Sequence, residues 1–187
     1  MKKMFKKGLL LSAIFLSLCL AACEQAGWIG NQSSNKANAP IGAEDKYYDI
    51  LVDRVVDGDT LVLEGGQRVR LIGIDTPEMH ESKKLYRDSQ RMSQNVETIK
   101  KLGKRSYQFT RGLVEGKRVK LEFDVEKKDK YGRLLGYAYL PDGTFINAEI
   151  VKQGYASLMT YPPNVKYADL FLKLYQDARE NKRGLWQ

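Results

Sequence analysis

Cysteine is almost missing from this chain: of 187 residues, only Cys19 and Cys23 carry a thiol. Cys19 falls in a segment read below as a removable leader, so an exported domain made from the remainder has no disulfide to draw on, although its compartment permits one. Histidine is scarcer still, with His80 alone, in a polar stretch without periodicity where a lone side chain is more often solvated than catalytic. The apolar run Gly8 to Ala22, about 15 residues long, falls short of the roughly 20 that a spanning helix needs. No internal repeat and no second domain show. An EF-hand is excluded at Asp57-Gly58-Asp59, because the ligand alternation and the terminal glutamate are absent.

What is present describes a globular protein: 43% hydrophobic and 29% charged residues, without the bias of a disordered chain. The net charge is +8, but Lys2, Lys3, Lys6 and Lys7 belong to the leader, leaving +8 less four, or +4. That excess alone argues weakly for a polyanionic partner. Basic residues crowd the stretch from Ser82 to Lys120, which includes Lys83, Lys84, Arg87, Arg91, Lys100 and Lys101. The crowding reads either as a solvated helix face or as a footprint for a phosphate backbone.

The first 22 residues have the basic start and apolar core of a secretory signal. Leu20-Ala21-Ala22-Cys23 resembles the bacterial lipobox, which implies cleavage before Cys23 and its acylation, with two or more chains needed for stable membrane attachment. Residues 23–46 are small and polar, a flexible tether spanning roughly 25–30 Å. The folded domain is expected over 47–187.

Within it, Tyr48–Val56 and Thr60–Leu63 read as strands around Asp57-Gly58, with Ile50, Val52 and Arg54 sharing a face of the first. Glu64-Gly65-Gly66-Gln67 makes a hairpin turn, and Arg68–Ile74 is the return strand. Arg70 then needs a bend, or a rim position, to reach a polar site. Met79 to about Ile99 reads as a mobile loop with a short helix near Ser89–Val96. An amphipathic helix covers Lys101–Val114 and strands cover Arg118–Val125 and Leu134–Leu140. A helix covers Ile146–Gln153, and Tyr155–Met159 is extended. The last helix shows a stripe of Tyr167, Leu170, Phe171, Leu174, Tyr175 and Ala178, with Gly184 as its C-cap. Together these predict an α+β fold, a five-stranded OB-type Greek-key β-barrel with about three helices.

The chemistry concentrates between Val52 and Glu78. Asp59 and Asp75, with a backbone carbonyl from the Asp75-Thr76 turn, offer hard oxygens in a sparse, irregular shell that suits Ca²⁺ better than Mg²⁺. Pro77 rigidifies the loop that presents Asp75 and Glu78. Arg70, and Arg133 aimed by the Gly132 turn, have the forked donors that grip a phosphate from two sides. Such a set performs phosphodiester hydrolysis: cation and arginines neutralise charge on the phosphoryl oxygens, and Glu78 orients or deprotonates water. The competing reading is a structural ion-pair network of Asp59, Asp75 and Arg70 at a barrel rim.

Asp57-Gly58-Asp59-Thr60, Arg70-Leu71, Ile74-Asp75-Thr76-Pro77-Glu78 and Asp129-Lys130-Tyr131-Gly132-Arg133 together resemble the ordered motifs of the staphylococcal (micrococcal, or thermonuclease) nuclease family, across Tyr48 to Trp186. The resemblance implies an OB fold and Ca²⁺-dependent cleavage of DNA and RNA to 3′-phosphate products. It also implies Asp59, Asp75 and Thr76 as metal ligands and Asp57 as an outer-shell acid. Arg70, Glu78 and Arg133 would be catalytic, and Lys130, Tyr131 and Tyr161 would lie around the nucleotide. Met159 stands where the family often has a tyrosine, and the 79–99 stretch is longer than in the secreted archetype. The expectation is therefore a monomeric, exported nuclease held on the cell membrane through Cys23. The alternatives are a noncatalytic OB module binding single strands, or a lipoprotein that binds surface glycans.

Overall fold

A computed structural model describes residues 47–187. The expected signal segment 1–22, the acylation site Cys23 and the tether over 23–46 lie outside the described residues. Apolar runs separated by glycine turns form β1 (Ile50–Asp57), β2 (Thr60–Leu63) and β3 (Arg68–Leu71). They pair antiparallel in sequence order. Gly65 and Gly66 both have φ of +81° in the β2–β3 turn, a conformation that residues with side chains adopt only under strain.

Two later strands, β5 (Arg118–Glu122) and β6 (Leu134–Tyr139), complete the barrel. β6 runs parallel to β3 and antiparallel to β5, and β5 returns to β1. The order β1-β2-β3-β6-β5 closes on itself, so the barrel has no open edge. This is the five-stranded OB-type architecture expected from the sequence. Val52, Leu61, Leu63, Val69, Leu71 and Leu121 fill its interior.

The strands depart from simple alternation in two places. Register shifts in β1 turn Val55 inward and leave Arg54 exposed, so Arg54 does not share the face of Ile50 and Val52. The return strand is also broken. β3 stops at Leu71, and β4 (Gly73–Asp75) leaves the barrel to pair with β7 (Ser157–Met159). Gly73 has φ of +83°, and a Cβ there would lie 2.4 Å from the Phe171 ring. Glycine is required on both counts. The buried Asn147 holds the bend in place, donating to the Ile72 carbonyl at 3.0 Å and accepting from the Ala138 amide at 3.0 Å.

Among the described residues there are four α-helices, where about three were expected: α1 (Lys83–Met92), α2 (Val96–Val114), α3 (Ile146–Lys152) and α4 (Ala168–Glu180). The stretch read as a mobile loop is α1, a break at Ser93 with φ of 51°, and the first turn of α2. Helix α1 starts where the Ser82 hydroxyl accepts the Leu85 amide at 3.0 Å. Leu85 and Asp88 are buried, and the stretch KKLYRDSQRM is too polar for an apolar helical stripe to stand out in the sequence. In α4, Phe171 and Ala178 are buried, whereas Leu170 of the expected stripe is 40% exposed. That helix is closed by Asn181, and Gly184 opens a 3₁₀ turn (Gly184–Trp186) instead of capping it. Trp186 meets Tyr175 edge-on at 5.4 Å, which seats the C-terminus on the domain.

Candidate active site

The break between β3 and β4 is what builds the site. With the chain bent at Gly73, the Arg70 guanidinium reaches back over it, and Nη2 donates to the Ile74 carbonyl at 3.1 Å and to Asp75 Oδ1 at 2.9 Å. Its Nη1 pairs with Asp59 Oδ1. Asp59 sits in the β1–β2 turn and is 2% exposed. Its other oxygen accepts the Thr76 amide at 2.8 Å and the Thr76 hydroxyl at 2.9 Å. Gly58 makes this approach possible, since a Cβ there would lie 2.7 Å from Thr76 Cγ2 and 2.9 Å from Ser106 Cβ. Two loops distant in sequence are thereby locked together through one carboxylate.

Helix α2 supports the arrangement from below. A Cβ at Gly103 would stand 2.6 Å from the Glu78 carbonyl and 2.7 Å from that of Pro77, so the helix backbone lies directly against the loop bearing Glu78. Glu78, Asp57, Asp59, Asp75, Arg70 and Arg133 all line one cavity of about 650 Å³. Lys130, Tyr131 and Tyr161 line it too, with Tyr131 72% and Tyr161 70% exposed. His80 is exposed and does not line this cavity.

Arg133 is set by a residue to which the sequence reading gave no role. Gly132, at φ of +77°, turns the chain so that Arg133 Nε donates to Asp129 Oδ2 at 2.7 Å while its amide donates to Asp129 Oδ1 at 3.0 Å. Burial opposes ionisation of Asp129, but the hydrogen bonds from Arg133 and from the Tyr131 amide outweigh it and hold its carboxyl below the ordinary range. Burial likewise lowers the Arg70 guanidinium from its ordinary value, with Asp75 opposing and Arg133 adding a like-charge push. Arg70 nonetheless keeps its charge at neutral pH. Arg70 and Arg133 thus face the same volume as separate cations.

Lys84 is the other residue to which that reading assigned no role, although it was counted in the basic run. From the first turn of α1 its ammonium reaches Asp75 Oδ1 at 3.0 Å, Glu78 Oε1 at 2.9 Å and the Thr76 carbonyl at 3.0 Å. Only knowledge of α1 could have placed it there. Much of the remaining basic run is engaged within the fold: Lys100 with Glu81, Arg111 with Glu115, and Arg105 with the Gly184 carbonyl. Arg87 lines the cavity.

The donor set fits a hard divalent cation. Among the described residues no three His, Cys, Asp or Glu side chains form a metal cluster by themselves. The Asp75 and Glu78 oxygens instead converge with a third, the Thr76 carbonyl, on one cationic centre. Calcium–oxygen distances of roughly 2.3–2.6 Å need only a closure of about half an ångström from that spacing. Asp57 supplies a second sign. Its Oδ1 is buried and has no hydrogen-bond partner among the described residues. Burial, then the neighbouring Glu78 charge, push its carboxyl above the ordinary range. Such an oxygen suits a metal-bound water.

The staphylococcal nuclease homologue family matches residues 68–187. The chain is 39% identical over 140 residues to the thermonuclease of Staphylococcus intermedius, covering 73% of this chain and 75% of that protein. It is 31% identical over 147 residues to the thermonuclease of Staphylococcus hyicus, covering 77% and 78%. It is 32% identical over 162 residues to endonuclease YncB of Bacillus subtilis strain 168, covering 83% and 70%.

Proposed function

The chain belongs to the staphylococcal nuclease family and is a hydrolytic nuclease; from that premise we propose that it cleaves DNA and RNA with calcium, leaves 3′-phosphates, and works from a lipid anchor at Cys23 outside the cytoplasm. The observation that carries the reading is the shared cavity, in which Arg70, Arg133, Asp59, Asp75 and Glu78 surround a volume large enough for a nucleotide.

Arg70 and Arg133 each offer paired N–H donors to a phosphodiester, one from the barrel wall and one from the Gly132 turn. Their fixed partners, Asp75 and Asp129, pre-set the forks, so little reorganisation accompanies charge growth on the phosphoryl oxygens. Asp59, Asp75 and the Thr76 carbonyl would hold calcium, with Asp57 behind a bound water. Calcium, when bound, supplies Lewis-acid neutralisation of a phosphoryl oxygen. Glu78, which lines the same cavity, would take the proton of an attacking water. The exposed Tyr131 and Tyr161 rings offer stacking faces to whichever base enters, which suits indifference to sequence.

The test is a calcium titration of denatured DNA and RNA digestion, followed by analysis of product ends. Calcium-dependent shortening with 3′-phosphate ends, abolished by chelator, is the expected result. Retention of strands without shortening would instead identify a binding module.

A further inference from the structure

Lys84 sits on two of the three groups proposed above to hold the metal. Its Nζ is 3.0 Å from Asp75 Oδ1, 3.0 Å from the Thr76 carbonyl and 2.9 Å from Glu78 Oε1, with Asp88 Oδ2 behind it at 3.8 Å. Two of these oxygens, from Asp75 and Thr76, are the ones assigned above to calcium. The Lys84 side chain is 21% exposed and the Asp75 side chain 6%, so little water screens the contact.

A single point cannot hold both cations. An ammonium and a divalent ion within about 3 Å of each other in a partly buried setting repel by several kcal/mol. Their demands on the oxygens also differ, since calcium draws its ligands to roughly 2.3–2.6 Å. The lysine is delivered there by α1, whose start is set by the Ser82 cap and whose Leu85 is fully buried. Its flexible four-carbon stem lets the head group leave while the helix stays.

We propose that Lys84 is a resident competitor for the metal: its ammonium neutralises Asp75 and Glu78 while calcium is scarce, and must be expelled for calcium to bind. Lys84 thereby sets the calcium concentration at which the site loads. This rests on the calcium reading above. The lysine also keeps the empty carboxylates from repelling one another, so the site stays assembled without metal.

The experiment is a calorimetric titration of calcium chloride, without nucleic acid, into the full-length protein in detergent. Wild type is compared with Lys84→Met, Lys84→Gln and the charge-retaining Lys84→Arg. Removing the competing charge is expected to tighten the calcium Kd by roughly tenfold, within the usual range of coupling between two exclusive ligands. Lys84→Arg should stay within about threefold of wild type. Lys84→Gln answers the question if the methionine variant does not fold. In calcium-free buffer the neutral variants should melt below wild type, and saturating calcium should remove that difference. An unchanged or weaker Kd in the neutral variants overturns the competition while leaving calcium binding intact. No heat of binding in any of the four proteins overturns both the competition and the calcium reading.

Discussion

Arg70 carries more of this site than any other single side chain. Its guanidinium is the only described group that touches Asp59, Asp75 and the bend carbonyl Ile74 together. Lysine cannot replace it, because one ammonium cannot span two carboxylates and still face a phosphate. Arg70→Ala and Arg133→Ala are each expected to lower kcat by about two to three orders of magnitude in saturating calcium, the usual worth of a pre-set charge-stabilising donor. Far-UV circular dichroism should stay that of wild type. Turnover near wild type in either variant would remove that arginine from the phosphate site. Arg70→Lys should resemble the alanine variant rather than wild type. Met159 belongs to the same scale: its sulfur lies 3.8 Å from Arg70 Nη2, beside the cavity it lines.

Among elements, α2 and β4 place the chemistry. β4 exists because glycine alone tolerates both the dihedral and the Phe171 contact at position 73. Helix α2 abuts the Pro77–Glu78 loop because position 103 has no side chain. A methyl added there meets backbone on the loop, which cannot swing aside as a flexible side chain would. Gly103→Ala is therefore expected to cost about 1–3 kcal/mol in stability through overpacking. It should also lower turnover by about tenfold or more through misplacement of Glu78. Calorimetry and steady-state kinetics on the same sample separate the two effects. A full loss of stability with unchanged kcat would show that Glu78 is not positioned by this contact.

For the described domain as a whole, the closed barrel holds the core, and the cavity is lined from the β1–β2 turn, β3, β4, α1, the loop before β6 and β7. The proposed leader and Cys23 anchor belong to this scale too, since they would decide where the barrel works. Cys23→Ser is expected to move the protein from the membrane fraction to the soluble exported fraction, with catalytic constants kept. Unchanged fractionation of that variant would remove the anchor from the account.

The barrel was legible because β3 and β5 alternate between buried and more exposed residues and the β2–β3 turn is written in glycine. The motif acids and arginines were legible because their spacing is local, within loops of a few residues. Helix α1 was not, since the polar run Lys83–Met92 offers few apolar residues to mark a period. Consequently the meeting of Lys84 with Asp75 and Glu78 was hidden as well. By itself the sequence determined the barrel class, most of its strands and the donor types of the site, and it asked for a bend or a rim position at Arg70; the break at Gly73 and the strand order came from the fold. Tertiary structure alone decided which cation those donors face, because that depends on a helix held by packing and a cap, and on distances across the fold that no spacing encodes.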